Sequence, residues 1–199
     1  MPLAIAFSLM LVMLTWVKGS AILSTISRKQ EDATLDWLVG ALEKKPPHRV
    51  NGTAVFLTAT PEVAPTALLH NLKHNHMLHE RNIVLTMKTA DVPRIPNNER
   101  VKIDKLSDSF TAVSLTYGFM DTPSIEQGLA ICRRRGLNIE MSSTSFFLSR
   151  RVLRPTSRSR LPGWQQKLFI WLAGSAEDAA AYFHIPSDRV VEIGTQIVV

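Results

Sequence analysis

The first seventeen residues, MPLAIAFSLMLVMLTWV, contain no charged side chain, and Lys18 follows at once. As a helix rising 1.5 Å per residue, the run reaches roughly 25 Å, slightly less than the ~30 Å hydrocarbon core of a bilayer. A secretory signal would need a basic segment ahead of the apolar residues and a small-x-small cleavage site behind them, and neither is found. A buried helix is the remaining alternative. Trp16 sits where an interfacial aromatic belongs, and Lys18, Arg28 and Lys29 follow it. By the positive-inside rule this places everything after residue 17 in the cytoplasm. Residues 1–17 are therefore read as a membrane span that looks clipped, as though the chain began at the edge of a larger membrane protein.

The rest of the chain is globular in composition. Of 199 residues, 45% are apolar and 20% charged, which excludes a disordered chain. A single cysteine, Cys132, excludes a disulfide framework and any multi-cysteine metal site. The net charge of +6 suggests an acidic partner, either anionic lipid or nucleic acid. Residues 18–47 read as a juxtamembrane segment. Leu35, Leu38, Val39 and Leu42 recur there at helical spacing after Asp32 or Thr34 as N-cap, on the bilayer surface or against the following domain. Lys44-Lys45-Pro46-Pro47 ends it.

Residues 48–199 alternate strand and helix patterns. Thr53–Thr58 and Asn82–Lys88 read as buried strands joined by a helix begun at Pro65, a βαβ unit. Val101 to Tyr117 reads as a hairpin. Thr122-Pro123 reads as the N-cap and first position of a helix with Ile125, Leu129 and Cys132 inward, stopped by Gly136. Thr144–Ser149 is a strand, Arg150–Arg160 a basic loop, and Trp164, Leu168, Trp171 and Leu172 one face of a further helix. Ser175 with Asp178 resembles a capping box, and Arg189–Ile193 and Thr195–Val199 read as two closing strands. The prediction is an α/β domain with a mixed sheet behind one amino-terminal transmembrane helix.

No constellation amounts to a catalytic signature. His70 and His74, one helical turn apart, are spaced to share a zinc ion. No carboxylate stands between them as in H-E-x-x-H, His76 points elsewhere, and the balance favours structural histidines for the group that ends at His79. Arg133-Arg134-Arg135 would clamp a phosphate, yet cations belong in a last helical turn on dipole grounds alone. The Arg150–Arg160 cluster beside the Trp164/Trp171 helix suits a membrane surface as well as a core stripe. Asn51-Gly52-Thr53 matches a glycosylation acceptor but opens a strand on the cytoplasmic side. Cys132 is a small core residue. There is no G-x-S-x-G elbow, no G-x-G-x-x-G and no Walker A sequence. No catalytic, cofactor-binding or metal-binding residue is assigned, and an enzyme is not expected.

GTAVFLT (Gly52–Thr58), LLHNLKHN (Leu68–Asn75), LHER (Leu78–Arg81), DVPRIPNNERV (Asp91–Val101) and YGFMDTP (Tyr117–Pro123) occur in that order, followed by TSFFLSR (Thr144–Arg150), WQQKLFIWL (Trp164–Leu172) and FHIPSDRVVEIGTQIVV (Phe183–Val199). This succession resembles the Kup/HAK/KT potassium transporters over essentially the whole chain. The resemblance implies potassium uptake coupled to proton entry across the inner membrane, through about a dozen helices of which residues 1–17 match the last. It also implies a universal-stress-protein-like cytosolic domain, and it allows a homodimer and control by an anionic effector such as cyclic di-AMP. The ion-handling acids of the family have no counterpart here. A freestanding membrane-anchored nucleotide-sensing module is the alternative. A nucleic-acid-binding role lacks any helix-turn-helix, zinc or RNP signature.

Overall fold

The computed structural model describes residues 1–30, 33–156, 161–175, 183 and 185–198. The chain order is α1 (Pro2–Gln30), α2 (Leu35–Lys44), β1 (His48–Thr58), α3 (Thr66–Asn75), β2 (Met77–Ala90), β3 (Val101–Lys105), β4 (Phe110–Gly118), α4 (Ile125–Arg134), β5 (Thr144–Arg154), α5 (Gly163–Gly174) and β6 (Val190–Val198). The strands form one mixed sheet in the order β3-β4-β2-β1-β5-β6. β1 pairs in parallel with β2 and β5, β2 in parallel with β4, and the predicted hairpin β3–β4 is antiparallel. The chain divides into two compact units, one of Ala33–Arg150 with Asp178–Ile193, the other of Met1–Asp32, Arg151–Glu177 and Gly194–Val199.

In the first unit, side chains alternate across the sheet and fill a core on each face. Ala54 and Phe56 of β1, Val84 of β2 and Phe147 of β5 point to one side, under α2 and α3. Val55, Ile83, Leu85, Phe146 and Leu148 point to the other, under Ile125, Leu129 and Cys132 of α4. A strand covered on both faces must be apolar at every position, which is why TAVFLT shows no alternation. The α2 stripe packs against this unit, with Leu35, Leu38 and Val39 buried beside Ala67 and Leu68 of α3. Its entry is fixed by backbone bonds from Leu35 N–H to the Glu62 carbonyl (2.9 Å) and from Ala64 N–H to the Ala33 carbonyl (3.0 Å). Thr34 holds the N-cap position without a side-chain bond, and Asp32 lies outside the described residues.

Several local expectations shift. β1 begins at His48 and β2 at Met77, because pairing carries both strands through polar residues. Their register is interrupted between Val50 and Thr53, where Gly52 takes φ +105° with a Cβ position only 2.7 Å from the Ser143 carbonyl oxygen. No side chain fits that bulge. The N-cap of α4 is Ser124 rather than Thr122, its hydroxyl accepting from Gln127 N–H at 3.4 Å. Gly136 does end this helix, at φ +92°. Gly136 N–H donates to the Arg133 carbonyl and Leu137 N–H to the Cys132 carbonyl, the paired bonds of a Schellman stop.

Other corrections fall in the carboxyl third. Arg150, Arg151 and Arg154 belong to β5 rather than to a loop, and residues 157–160 lie outside the described residues. The two closing strands are one, β6, which runs through Gly194, while Arg189 sits in a short 3₁₀ turn before it. Ser175 caps the end of α5, its hydroxyl donating back to the Trp171 carbonyl (3.0 Å), and Asp178 is outside the described residues.

Candidate functional site

In the second unit, α1 does not stop at Val17 but continues as helix to Gln30. Pro2–Ile26 is long and apolar enough to cross a membrane. Along its apolar run the large side chains face outward: Leu3, Ile5, Phe7, Leu9, Met13 and Val17 are 60–85% exposed. A contiguous apolar surface of that extent is foreign to a water-solvated helix and natural in lipid. The helix has no acidic residue in its first turn, and the hydroxyls of its apolar run, Ser8 and Thr15, are returned to its own backbone. Ser8 donates to the Ala4 carbonyl (2.9 Å) and Thr15 to the Leu11 carbonyl (2.8 Å). In hydrocarbon no other partner exists for them.

The four histidines do not converge. The His70 and His74 rings lie side by side on α3, centroids 5.7 Å apart. His76 ends that helix in the left-handed conformation (φ 53°), and Asn71, buried, anchors the turn by donating to the Met77 carbonyl at 3.1 Å. His79 is on β2 with its ring edge against Phe147 (5.8 Å), and burial lowers its pKa. Among the described residues no three His, Cys, Asp or Glu side chains are grouped to hold a metal ion. Cys132 is buried, and burial pushes its thiol up to about 11, so at neutral pH it carries no nucleophilic thiolate.

The triplet of arginines divides. Arg133 and Arg134 are exposed in the last turn of α4. The Arg135 guanidinium instead donates to the backbone carbonyls of Val101 and Asn98, tying the helix end to the start of β3. Arg135→Gln is expected to lower stability by about 1–2 kcal/mol, since bonds from a charged donor to carbonyls are lost. Gln at Arg133 and Arg134 should stay within ~0.5 kcal/mol, as for exposed positions generally. Denaturant unfolding of the full chain in detergent checks both. Equal loss at all three positions would contradict this division.

A cleft of about 330 Å³ beside Arg135 includes Arg81, Lys105 and Asp108. Its cations are engaged: Arg81 Nε donates to Thr53 Oγ1 (3.2 Å), and Lys105 pairs with Asp108 (2.8 Å). It lies where β4 begins, opposite the carboxyl strand ends at which open α/β sheets bind ligands.

Near those carboxyl ends, sequence reasoning missed a polar knot. One oxygen of Asp121, Oδ2, accepts from Gly118 N–H (2.9 Å), Ile95 N–H (3.1 Å) and the Arg100 guanidinium (3.2 Å). Arg100 also donates to the Ile95 carbonyl (2.8 Å) and stands 4.8 Å over the Tyr117 ring, whose hydroxyl donates to the Ser124 carbonyl. The Gly118 N–H, then the Ile95 N–H, hold the Asp121 carboxyl below its ordinary range, Arg100 adding its charge. With the folded pKa lowered, this stabilisation is complete above the ordinary carboxylate range and is lost as pH falls through the lowered value. The knot pins residues 91–100 of the DVPRIPNNERV segment, which no helix or strand covers. The signal available was Asp and Arg beside Gly and Pro, too common to single out.

Residues 51–199 match the family model described as the K+ potassium transporter C-terminal domain. The chain belongs to this potassium transporter family. It is 52% identical over 198 residues to the "Probable potassium transport system protein Kup 2" of Bradyrhizobium sp. strain BTAi1, covering 100% of this chain and 31% of that protein. It is 50% identical to the "Probable potassium transport system protein Kup" of Nitrobacter winogradskyi, covering 100% and 30%. The corresponding Kup protein of Caulobacter vibrioides is 47% identical over 199 residues. The chain thus spans just under a third of the length of these relatives. No solved structure matches it. α1 and α2 precede the family model's C-terminal domain yet lie within the matches to the Kup proteins, so both helices belong to the Kup sequence as well.

Proposed function

We propose that this chain is the carboxyl-terminal part of a potassium uptake transporter of the inner membrane that couples potassium to proton entry. α1 is its last membrane helix, and the α/β unit is a regulatory and assembly domain on the cytoplasmic side rather than an enzyme. The observation that carries the reading is the coincidence of Kup family membership with an apolar helix most of whose large side chains from Leu3 to Val17 are exposed. The ordered sheet, an inert buried thiol and the lack of an assembled catalytic group among the described residues support a domain that acts by contact. Such a domain biases transport only if a partner or effector favours one of its arrangements. Arg133 and Arg134, free of the tie that engages Arg135, are the positions for an anionic effector such as a cyclic dinucleotide.

One helix cannot line an ion path, because every ion ligand and backbone group must be satisfied within the bilayer. Expressed by itself, the 199-residue chain is expected not to restore growth of an uptake-deficient strain on low potassium. Growth without any partner gene would overturn the reading. A reporter fused after Val199 should be active only as a cytoplasmic fusion, and periplasmic activity would reverse the assigned sidedness.

A further inference from the structure

We propose that α5 is a membrane-interface helix, held by α1 at headgroup depth, with Trp164 and Trp171 anchored in lipid. The inference rests on the reading that α1 crosses the bilayer. Within their unit the two helices are in direct contact. The Phe169 ring is 1% exposed and lies 5.7 Å from the Trp16 ring. A Cβ on Gly19 would come within 2.2 Å of the Phe169 ring, so the glycine is the gap that admits it. Close approach through a small residue is how helices associate where apolar surroundings give no hydrophobic drive. Lys18, the first charge after the apolar run, is next to Gly19 in sequence. That charge marks the level where hydrocarbon gives way to headgroups, and Phe169 is seated there.

The sequence of α5, GWQQKLFIWLAG, has one lysine and no acid, and its apolar residues are spread around the helix instead of gathered on one face. Of the stripe that the sequence leaves open between core and membrane surface, the two tryptophans face outward: Trp164 is 52% and Trp171 68% exposed. The buried side is taken by Phe169 and by Gln166, whose amide donates to the Leu161 carbonyl (2.9 Å) and accepts from Thr156 N–H (3.3 Å). A helix that satisfies its polar group inside and turns its tryptophans outward is inverted for water. At 12 residues, ~18 Å, it is too short to span and long enough to lie in the interface. Exposed Arg151 and Arg154 on the same unit supply charge for anionic headgroups. The occupant is lipid because α1 fixes the depth: whatever surrounds α1 around Gly19 also meets α5.

The test uses the full chain in vesicles of phosphatidylcholine and phosphatidylglycerol. One variant keeps Trp164 and Trp171 with Trp16→Phe and Trp37→Phe; a second keeps Trp16 alone. The expected result is blue-shifted emission from Trp164 and Trp171, protection from aqueous acrylamide, and stronger quenching by lipids brominated just below the headgroup than by lipids brominated deep in the chain. Acrylamide quenching of this pair, with Trp16 still quenched by brominated lipid, overturns the inference and leaves the membrane span intact. Loss of bromine quenching at Trp16 too overturns the span reading itself. Shielding of the pair from both quenchers means that protein covers α5, which also overturns it. A Cys132→Ser, Lys167→Cys chain, spin-labelled at the exposed Lys167 position, gives an independent depth from oxygen against aqueous nickel relaxation. A label relaxed by nickel alone contradicts interfacial placement.

Discussion

Replacing Phe56 by alanine is expected to destabilise the α/β unit by about 3–5 kcal/mol, the usual cost of deleting a large buried ring. Phe56 is fully buried on β1 and stacks on Phe147 of β5, centroids 4.9 Å apart with the planes 23° from parallel. Ala54 and Val84 flank it on the same face, beneath α2 and α3. These neighbours sit on two strands and two helices and cannot all move inward together, so a cavity remains. Thermal unfolding of the full chain in detergent should show a midpoint lower by roughly 6–20 °C, taking 2–4 °C per kcal/mol for a chain of this size. Phe119→Ala is the control. That ring is 61% exposed, and its loss should stay within ~0.5 kcal/mol. Equal behaviour of the two variants would mean that the face beneath α2 and α3 is not packed as described.

Gly118→Ala is expected to cost about 3 kcal/mol for a single methyl group, at the upper end for overpacking. A Cβ there would lie 2.4 Å from the Pro93 carbonyl oxygen and 2.6 Å from Arg94 Cα. Both obstacles are backbone, so no side-chain rotation relieves the clash. The backbone in question is also tied down: Phe119 N–H donates to the Val92 carbonyl (3.0 Å) and Met120 N–H to the Pro93 carbonyl (2.9 Å). Displacing residues 92–94 therefore strains those bonds and pulls Ile95 away from the Asp121 carboxylate. The midpoint should fall by roughly 6–12 °C. The acid-sensitive share of stability contributed by Asp121 should shrink with it. An unchanged midpoint would show that the 91–100 segment yields freely and that the knot does not hold it.

How much of this was legible in the sequence depended on how far each residue looks along the chain. The charge-free run before Lys18, the apolar TAVFLT and NIVLTMK strands, the β3–β4 hairpin and the Gly136 stop were all readable. Each is set by neighbours within a turn or a strand, and composition and period carry that information. Family resemblance was readable for the same reason, as short motifs in a fixed order. The N-cap of α4 was missed by two residues because Thr122, Ser124 and Pro123 are all chemically suited to a helix start, and only the backbone path selects Ser124.

Tertiary structure decided what joins distant segments. Three arginines alike in sequence become two exposed side chains and one tie, because only Arg135 reaches the carbonyls of Asn98 and Val101. Four clustered histidines disperse because His76 takes a left-handed turn that sends His79 onto β2. Asp121 gathers donors from Ile95 and Arg100, more than twenty residues away, which no local pattern announces. In α5 the apolar residues surround the helix, so periodicity held no answer to which side is buried. The gap at Gly19 settled it by accepting Phe169 and leaving the tryptophans outside. A helix chooses its buried face by the surface it fits, and that surface lies some 150 residues away in the sequence.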